Sequence, residues 1–409
     1  MTEPAPTPAP TPAPAHPSAP ADLLRAANDA APRTIFSPVR TPAETFRDLA
    51  RAAEDFGLAT GASSDWDMYD QGGAVELLER QVRELLGTED AAFFPSGILA
   101  QQAALRVHAD TAGSRRVAIP DLSHLLIHEE DGPRLLHGFR FEPLTHGAQT
   151  PTADALDAIP GRLGAVLVEL PLREPGCLLP TWEALAGLSD AAHERGVPLH
   201  IDGARLWESL PWLGHTAAEV AALADTVYVS FYKGLGGLAG SVLAGRRDVV
   251  EETRLWRRRA GGTIYRQTAE ALSALVGLRD LLPGIPARVA WARAFAEQVM
   301  LAAGTSLDEG GAGALPRPGV GRLAIRPGVP QTNQFLVYAQ GDPDDLDRRT
   351  AWLTEDAGVA FCKPWRAADE PGRSWTEVAV GTGALAAGAA GVPPQEAADL
   401  LVRAVAEQD

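Results

Sequence analysis

Cysteine is nearly absent from the 409-residue chain: Cys177 and Cys362 are the only two, and they stand far apart in sequence. That excludes a disulfide scaffold and any all-cysteine metal site, and it makes a reducing cytoplasm the expected home. Long apolar runs are lacking too, since no uninterrupted stretch approaches the ~20 residues that a spanning helix needs. Membrane insertion is therefore not expected. Positive charge is short, because 36 Lys and Arg against 53 Asp and Glu leave a formal net charge of −17. A field of that sign repels phosphate surfaces, so neither nucleic acid nor an anionic membrane is an expected partner. Lysine is the scarcest cation: 34 of the 36 basic side chains are arginine, leaving only Lys233 and Lys363. Where guanidinium serves nearly every surface and ion-pair role, a retained amine points to work that needs a group able to lose its proton. Forming a Schiff base is such work.

What is present suits a packed, water-soluble protein: 45% of residues are apolar and 22% charged, and the length allows two or three units of ~100 to 200 residues. Residues 1 to 21 form a Pro/Ala/Thr repeat, expected as a disordered, extended tail. From about residue 74 the pattern alternates helix and strand. Val75, Leu78, Val82 and Leu85 share one helical face before the stop signal Gly87. Strands are expected at Ala91 to Phe94, Leu163 to Leu170, Val197 to Asp202, Thr226 to Phe231 and Ser241 to Ala244, with helices between them. Short apolar strands separated by helices mean an α/β fold with a mostly parallel sheet, which binds ligands at the carboxyl ends of its strands. After Pro286 a helix, a Gly/Pro-rich passage, strands near residues 334 to 338 and 377 to 380 and a closing helix read as a smaller α+β domain. The expected organisation is a tail (1–21), an N-terminal part of the small domain (22–60), a large domain (61–286) and a C-terminal small domain (287–409).

Chemistry gathers at the expected strand ends. Lys233 follows a buried strand and precedes Gly234-Leu235-Gly236-Gly237, where glycines let a flat ligand approach the backbone. Asp202 ends an otherwise apolar strand, a costly place for a carboxylate unless it meets a positive charge such as a protonated pyridine nitrogen, although capping the next helix is its alternative role. His124 can stack its ring on a planar cofactor. Ser96-Gly97, at a strand-to-helix turn, offers backbone amides to a phosphate. Gly261, Gly262, Arg266 and Gln267 form a second candidate anion loop. Nucleotide-binding glycine patterns are missing from the strand-to-helix context they require.

These residues resemble a family. His200-Ile201-Asp202-Gly203-Ala204-Arg205-Leu206-Trp207, Lys233-Gly234-Leu235-Gly236 and Gly240-Ser241-Val242-Leu243-Ala244-Gly245 are similar to segments of the low-specificity L-threonine aldolases. Those enzymes belong to the aspartate-aminotransferase-like, fold-type I group that uses pyridoxal phosphate. Asp67-Met68-Tyr69, Pro95-Ser96-Gly97, His124 with Glu129, Arg266-Gln267 and Thr332-Asn333 follow in the family's order, over roughly residues 40 to 340. The resemblance implies Lys233 as the Schiff-base lysine, Asp202 as the pyridinium partner and His124 as the ring-stacking residue. It further implies Ser96, Gly97 and Ser230 on the phosphate, Arg205 on the substrate carboxylate and Arg266 reaching a phosphate across a subunit interface. A homodimer or homotetramer acting on a small amino acid, with no metal, is the expected assembly.

The departures concern the substrate. Ile98 replaces the family's phosphate-loop threonine, and Glu169-Leu170-Pro171-Leu172-Arg173 stands where the family has Glu-Asn-Thr-His-Asn. Thr376-Glu377-Val378-Ala379-Val380 replaces a C-terminal element whose arginine binds carboxylate, unless Arg366 or Arg373 substitutes. The leading expectation is a lyase that cleaves a β-hydroxy-α-amino acid to glycine and an aldehyde, with His124 or His128 as base. Elimination or racemisation on the same cofactor, and a noncatalytic scaffold of the same fold, are the alternatives.

Overall fold

The computed structural model describes residues 19–302 and 323–406. The expected tail lies outside the described residues except for its last three, and its end is corrected: the helix Pro20–Ala30 already begins there, with Pro at its first position, where a missing N–H costs nothing. Most of the Gly/Pro-rich passage after Ala303 also lies outside the described residues.

Seven strands form the main sheet in the spatial order Asp90–Phe94, Ser241–Gly245, Thr226–Ser230, Leu199–Gly203, Ala165–Glu169, Arg116–Pro120 and Arg140–Thr145. Only Ser241–Gly245 runs against its neighbours, so the other six strands end at one edge. Burial on both faces explains the near-continuous apolar strands. In Ala165–Glu169, Val166 and Val168 enter one core while Ala165 and Leu167 enter another on the opposite face. The same alternation turns Val227 and Val229 to the first core and Tyr228 to the face covered by the helix Gly97–Ala112. Asp202 shares that second face, because Ile201 beside it points to the first.

A second, antiparallel sheet has the order Arg366–Ala367, Arg373–Ala379, Gln334–Gln340, Leu323–Arg326. Its core takes Trp291, Phe295 and Val299 from the helix Ile285–Ala302 and Leu401 from the helix Pro394–Val405. The N-terminal segment divides between the two cores. Arg33–Thr34 pairs with Val359–Ala360 and Ile35 enters the second core, whereas the helix Pro42–Asp55 lays Leu49 and Ala52 on the first.

Candidate active site

Five strand ends bring the chemistry together. Lys233, Asp202, His124 and Arg205 line one cavity of about 240 Å³ with Glu169, Glu129, Arg173, Gln101, Tyr228 and Tyr232. Ser96, Gly97 and Ser230 stand within two residues of lining residues in the chain without lining the cavity themselves. Arg266 lies elsewhere, exposed, with its guanidinium over the rings of Trp66 and Tyr265 at 4.4 and 5.2 Å.

Asp202 is 1% exposed and faces Glu169 across the parallel pair of strands. One Asp202 oxygen accepts from the Ala204 amide at 3.0 Å. Burial raises the Asp202 pKa, and the nearby Lys233 amine opposes that rise. Glu169 accepts from the amides of His124 (2.9 Å) and Arg173 (3.1 Å), yet burial, and then Asp202, push its pKa up to about 7. The Lys233 amine makes no hydrogen bond or ion pair among the described residues, and burial followed by Arg205 lowers its pKa. An amine so placed loses its proton more readily than a solvated one. The His124 Nδ1 lies 3.0 Å from a Glu129 oxygen, and burial, then Lys233, lower its pKa to about 4. The ring is neutral near pH 7. His128 instead pairs with Glu174 at 2.8 Å.

Two glycines admit no side chain here. A Cβ on Gly97 would lie 2.0 Å from the Tyr228 hydroxyl oxygen, and one on Gly234 would lie 1.7 Å from a Glu208 oxygen. Glu208 and Arg288 are functional neighbours that sequence reading missed. Arg288, 2% exposed, donates to the carbonyls of Gly234 (3.1 Å) and Leu281 (2.8 Å), fixing the turn after Lys233. Their signal was faint, being only charged residues inside helical patterns.

The residues present fit pyridoxal phosphate. The helix Gly97–Ala112 opens with Ser96 as its cap, whose Oγ accepts from Leu99, and first-turn amides have no partner inside a helix. The Ser230 Oγ is buried without a hydrogen-bond partner of normal geometry. Asp202 supplies the buried anion a pyridinium needs, and Lys233 an unengaged amine. On the C-terminal side, the two candidate substitutes for a carboxylate-binding arginine are corrected: Arg366 lies over the Trp375 ring and Arg373 pairs with Glu370, and neither lines the cavity.

An unengaged amine facing a buried carboxylate at the carboxyl ends of a mostly parallel sheet, with a smaller α+β part beside it, is the architecture of fold-type I pyridoxal-phosphate enzymes. The beta-eliminating lyase family profile matches residues 55–311, and the chain belongs to that family. A low-specificity L-threonine aldolase of Arabidopsis thaliana is 28% identical over 243 residues, which take in 54% of this chain and 64% of that protein. A second Arabidopsis protein, assigned as a low-specificity L-threonine aldolase, is 28% identical over 333 residues, covering 78% of this chain and 85% of its own length. Among solved structures, one from Listeria monocytogenes assigned as an L-allo-threonine aldolase has a TM-score of 0.81 at 31% identity, covering 94% of this chain and 99% of that one. No described helix is long and apolar enough to cross a membrane.

Proposed function

We propose that the protein binds pyridoxal phosphate and cleaves a β-hydroxy-α-amino acid to glycine and an aldehyde. The observation that carries this reading is Lys233, an amine without an ionic partner, in one cavity with the buried Asp202 carboxylate and the Arg205 guanidinium. Lys233 would hold the cofactor covalently, Asp202 would serve its ring nitrogen, and His124 would pack on its ring. Ser96, Gly97 and Ser230 would hold the phosphate. When bound, the cofactor supplies the electron sink for breaking the Cα–Cβ bond.

The chain's own part is positioning and proton transfer. The Arg205 guanidinium makes no hydrogen bond or ion pair among the described residues, which leaves its fork for the substrate carboxylate. His124, neutral by burial, accepts the β-hydroxyl proton as the aldehyde departs. A second reading is favoured by the lowered pKa of Lys233, which suits it to remove the Cα proton and so drive loss of a β-substituent. Products separate the two: incubation of cofactor-loaded protein with a panel of β-hydroxy and β-thio amino acids gives glycine plus aldehyde for the first, and a 2-oxo acid plus ammonia, with sulfide from the β-thio substrates, for the second. Protein that takes up no cofactor colour would leave only a scaffold.

The assembly belongs to the same proposal. Asp67 accepts from the Gln267 amide at 2.9 Å and Asp70 pairs with Arg257 at 3.1 Å, so the loop carrying Arg266 is pinned to the segment carrying Trp66, Met68 and Tyr69. These three with Ile264 and Tyr265 are 43 to 57% exposed. Such an apolar patch, with an exposed guanidinium lying over its rings, suits burial against a second copy, where Arg266 would reach that copy's phosphate. A homodimer or homotetramer follows from this reading.

A further inference from the structure

Arg173 joins two cavities. It lines the one that holds Lys233 and Arg205, and also a second of about 150 Å³ walled by Glu174, Gln334, Tyr338, Trp375 and Glu377. The first cavity, about 240 Å³, is smaller than the ~300 Å³ at which ligand pockets usually begin. A planar cofactor takes most of it, so the outer parts of an amino acid joined to that cofactor lie toward Arg173.

The guanidinium is aimed rather than consumed. Of its five N–H groups, one nitrogen donates to Glu174 at 2.8 Å and another to Glu377 at 3.1 Å. Both carboxylates have other partners: His128 lies 2.8 Å from Glu174, and Lys363 and Gln334 both donate to Glu377. Sharing Arg173 with a ligand therefore leaves neither acid stranded. The backbone beneath is fixed as well, since the Arg173 amide donates to the Glu169 carboxylate that also holds the His124 amide.

The geometry points to Arg173 as a second residue that binds the α-carboxylate of the substrate, beside Arg205, with Glu174 and Glu377 as positioning residues. Two guanidiniums on one carboxylate offer paired, charge-assisted hydrogen bonds that neither an amine nor a neutral amide reproduces. This inference rests on the reading above of a cofactor-bound amino acid. The competing explanation is that Arg173 only ties the loop after the strand Ala165–Glu169 to the second sheet through Glu377.

Titration of the cofactor-loaded protein with glycine, followed by the visible absorbance change, tests the inference without requiring cleavage. Glycinamide, which keeps the amine and lacks the carboxylate, is titrated in parallel. Arg173→Gln is expected to raise the glycine dissociation constant about 10- to 100-fold, the size of a lost charged hydrogen bond, and to leave glycinamide within about 2-fold. Arg173→Lys, which keeps the charge and perturbs the fold least, is expected to fall between. KM for a cleaved β-hydroxy-α-amino acid should follow glycine, with kcat changing much less. Unchanged glycine affinity in both variants, or equal loss for glycine and glycinamide, would overturn the role. A native protein that takes up no cofactor overturns the underlying reading and this inference with it, whereas a coloured protein with indifferent Arg173 variants overturns the inference alone.

Discussion

Glu169 and Asp202 are register partners on adjacent parallel strands, two buried carboxylates side by side at the edge where Lys233 enters. Like charges so placed cannot both ionise cheaply. The partners separate their duties: Glu169 spends both oxygens on the amides of His124 and Arg173, while Asp202 engages the Ala204 amide with one and also interacts with the Gln101 side chain. Asp202 is the carboxylate that the Lys233 cation acts on most in the cavity, and Glu169 ties together the loops that frame it.

Replacement of Asp202 by Asn is expected to weaken cofactor binding and remove most of the rate, because a neutral amide does not hold a ring nitrogen protonated. Spectroscopic titration with cofactor and steady-state assays check this. Near-native rates would mean that Asp202 serves only the turn at Ala204.

Lys233→Arg is expected to leave a folded protein without turnover. Arginine keeps the charge, but a pKa above ~12 denies it the free amine that covalent capture needs. Circular dichroism reports the fold, and absorbance after cofactor addition reports capture. Activity in this variant would rule out Lys233 as the attachment point.

Stability is expected to fall as pH rises from about 5 to 8, through Glu79. This side chain accepts from the Phe93 amide at 2.7 Å, and burial raises its pKa to about 7. A folded state that holds a proton more tightly than the unfolded chain binds more protons across this window, so its advantage is present at low pH and lost on going up through 7. The maximum effect is on the order of 3 kcal/mol. Glu79→Gln keeps an acceptor for Phe93 and removes the ionisation. Denaturant unfolding at pH 5.5 and 8 should show a flatter dependence in the variant, and an unchanged slope would contradict the assignment. On the acid side His200, buried with a pKa lowered to about 3, works in the opposite sense: its stability contribution is lost as pH falls below about 6.5.

Mixing Arg266→Ala chains with Lys233→Ala chains is expected to restore part of the activity that each lacks, since a mixed dimer can assemble one site with both native residues. Arg266→Ala alone should weaken cofactor binding by about 1.5 to 3 kcal/mol, the range for a hydrogen bond to a charged group. Verified mixed dimers without recovery, or a fully active monomer in sedimentation, would place the phosphate within one chain.

The strands of the main sheet that flank the site were legible because burial on both faces leaves compact apolar runs, and the residues at their ends stood out chemically. Arg116–Pro120 and Arg140–Thr145 were not foreseen. Each begins with arginine and carries proline or acid, which blurs the apolar signal. The helix Pro343–Ala357 was also missed: its Asp342 cap and N-terminal proline are start signals, but its interior mixes acids, arginines and few apolar positions. Lys233 and Asp202, placed at strand ends by the sequence, share one cavity with His124 and with Arg205, whose role came only from the resemblance. Arg173 had been seen only as a departure from a family pattern, in the segment that Glu169 opens. Their relation to His124 depends on a strand-to-loop approach spanning 45 residues of sequence, which no local spacing encodes.

The scarcity of lysine gives this chain a nearly silent background for amine spectroscopy. Its two ε-amines occupy unlike surroundings: Lys233 sits in the cavity without an ionic partner, and Lys363 is bound to Glu377 in an ion pair. Reductive methylation with a ¹³C label would therefore place only these two side chains, beside the amino terminus, in a carbon-13 spectrum. One signal watches the site from inside, and the other watches the Glu377 contact that helps aim Arg173.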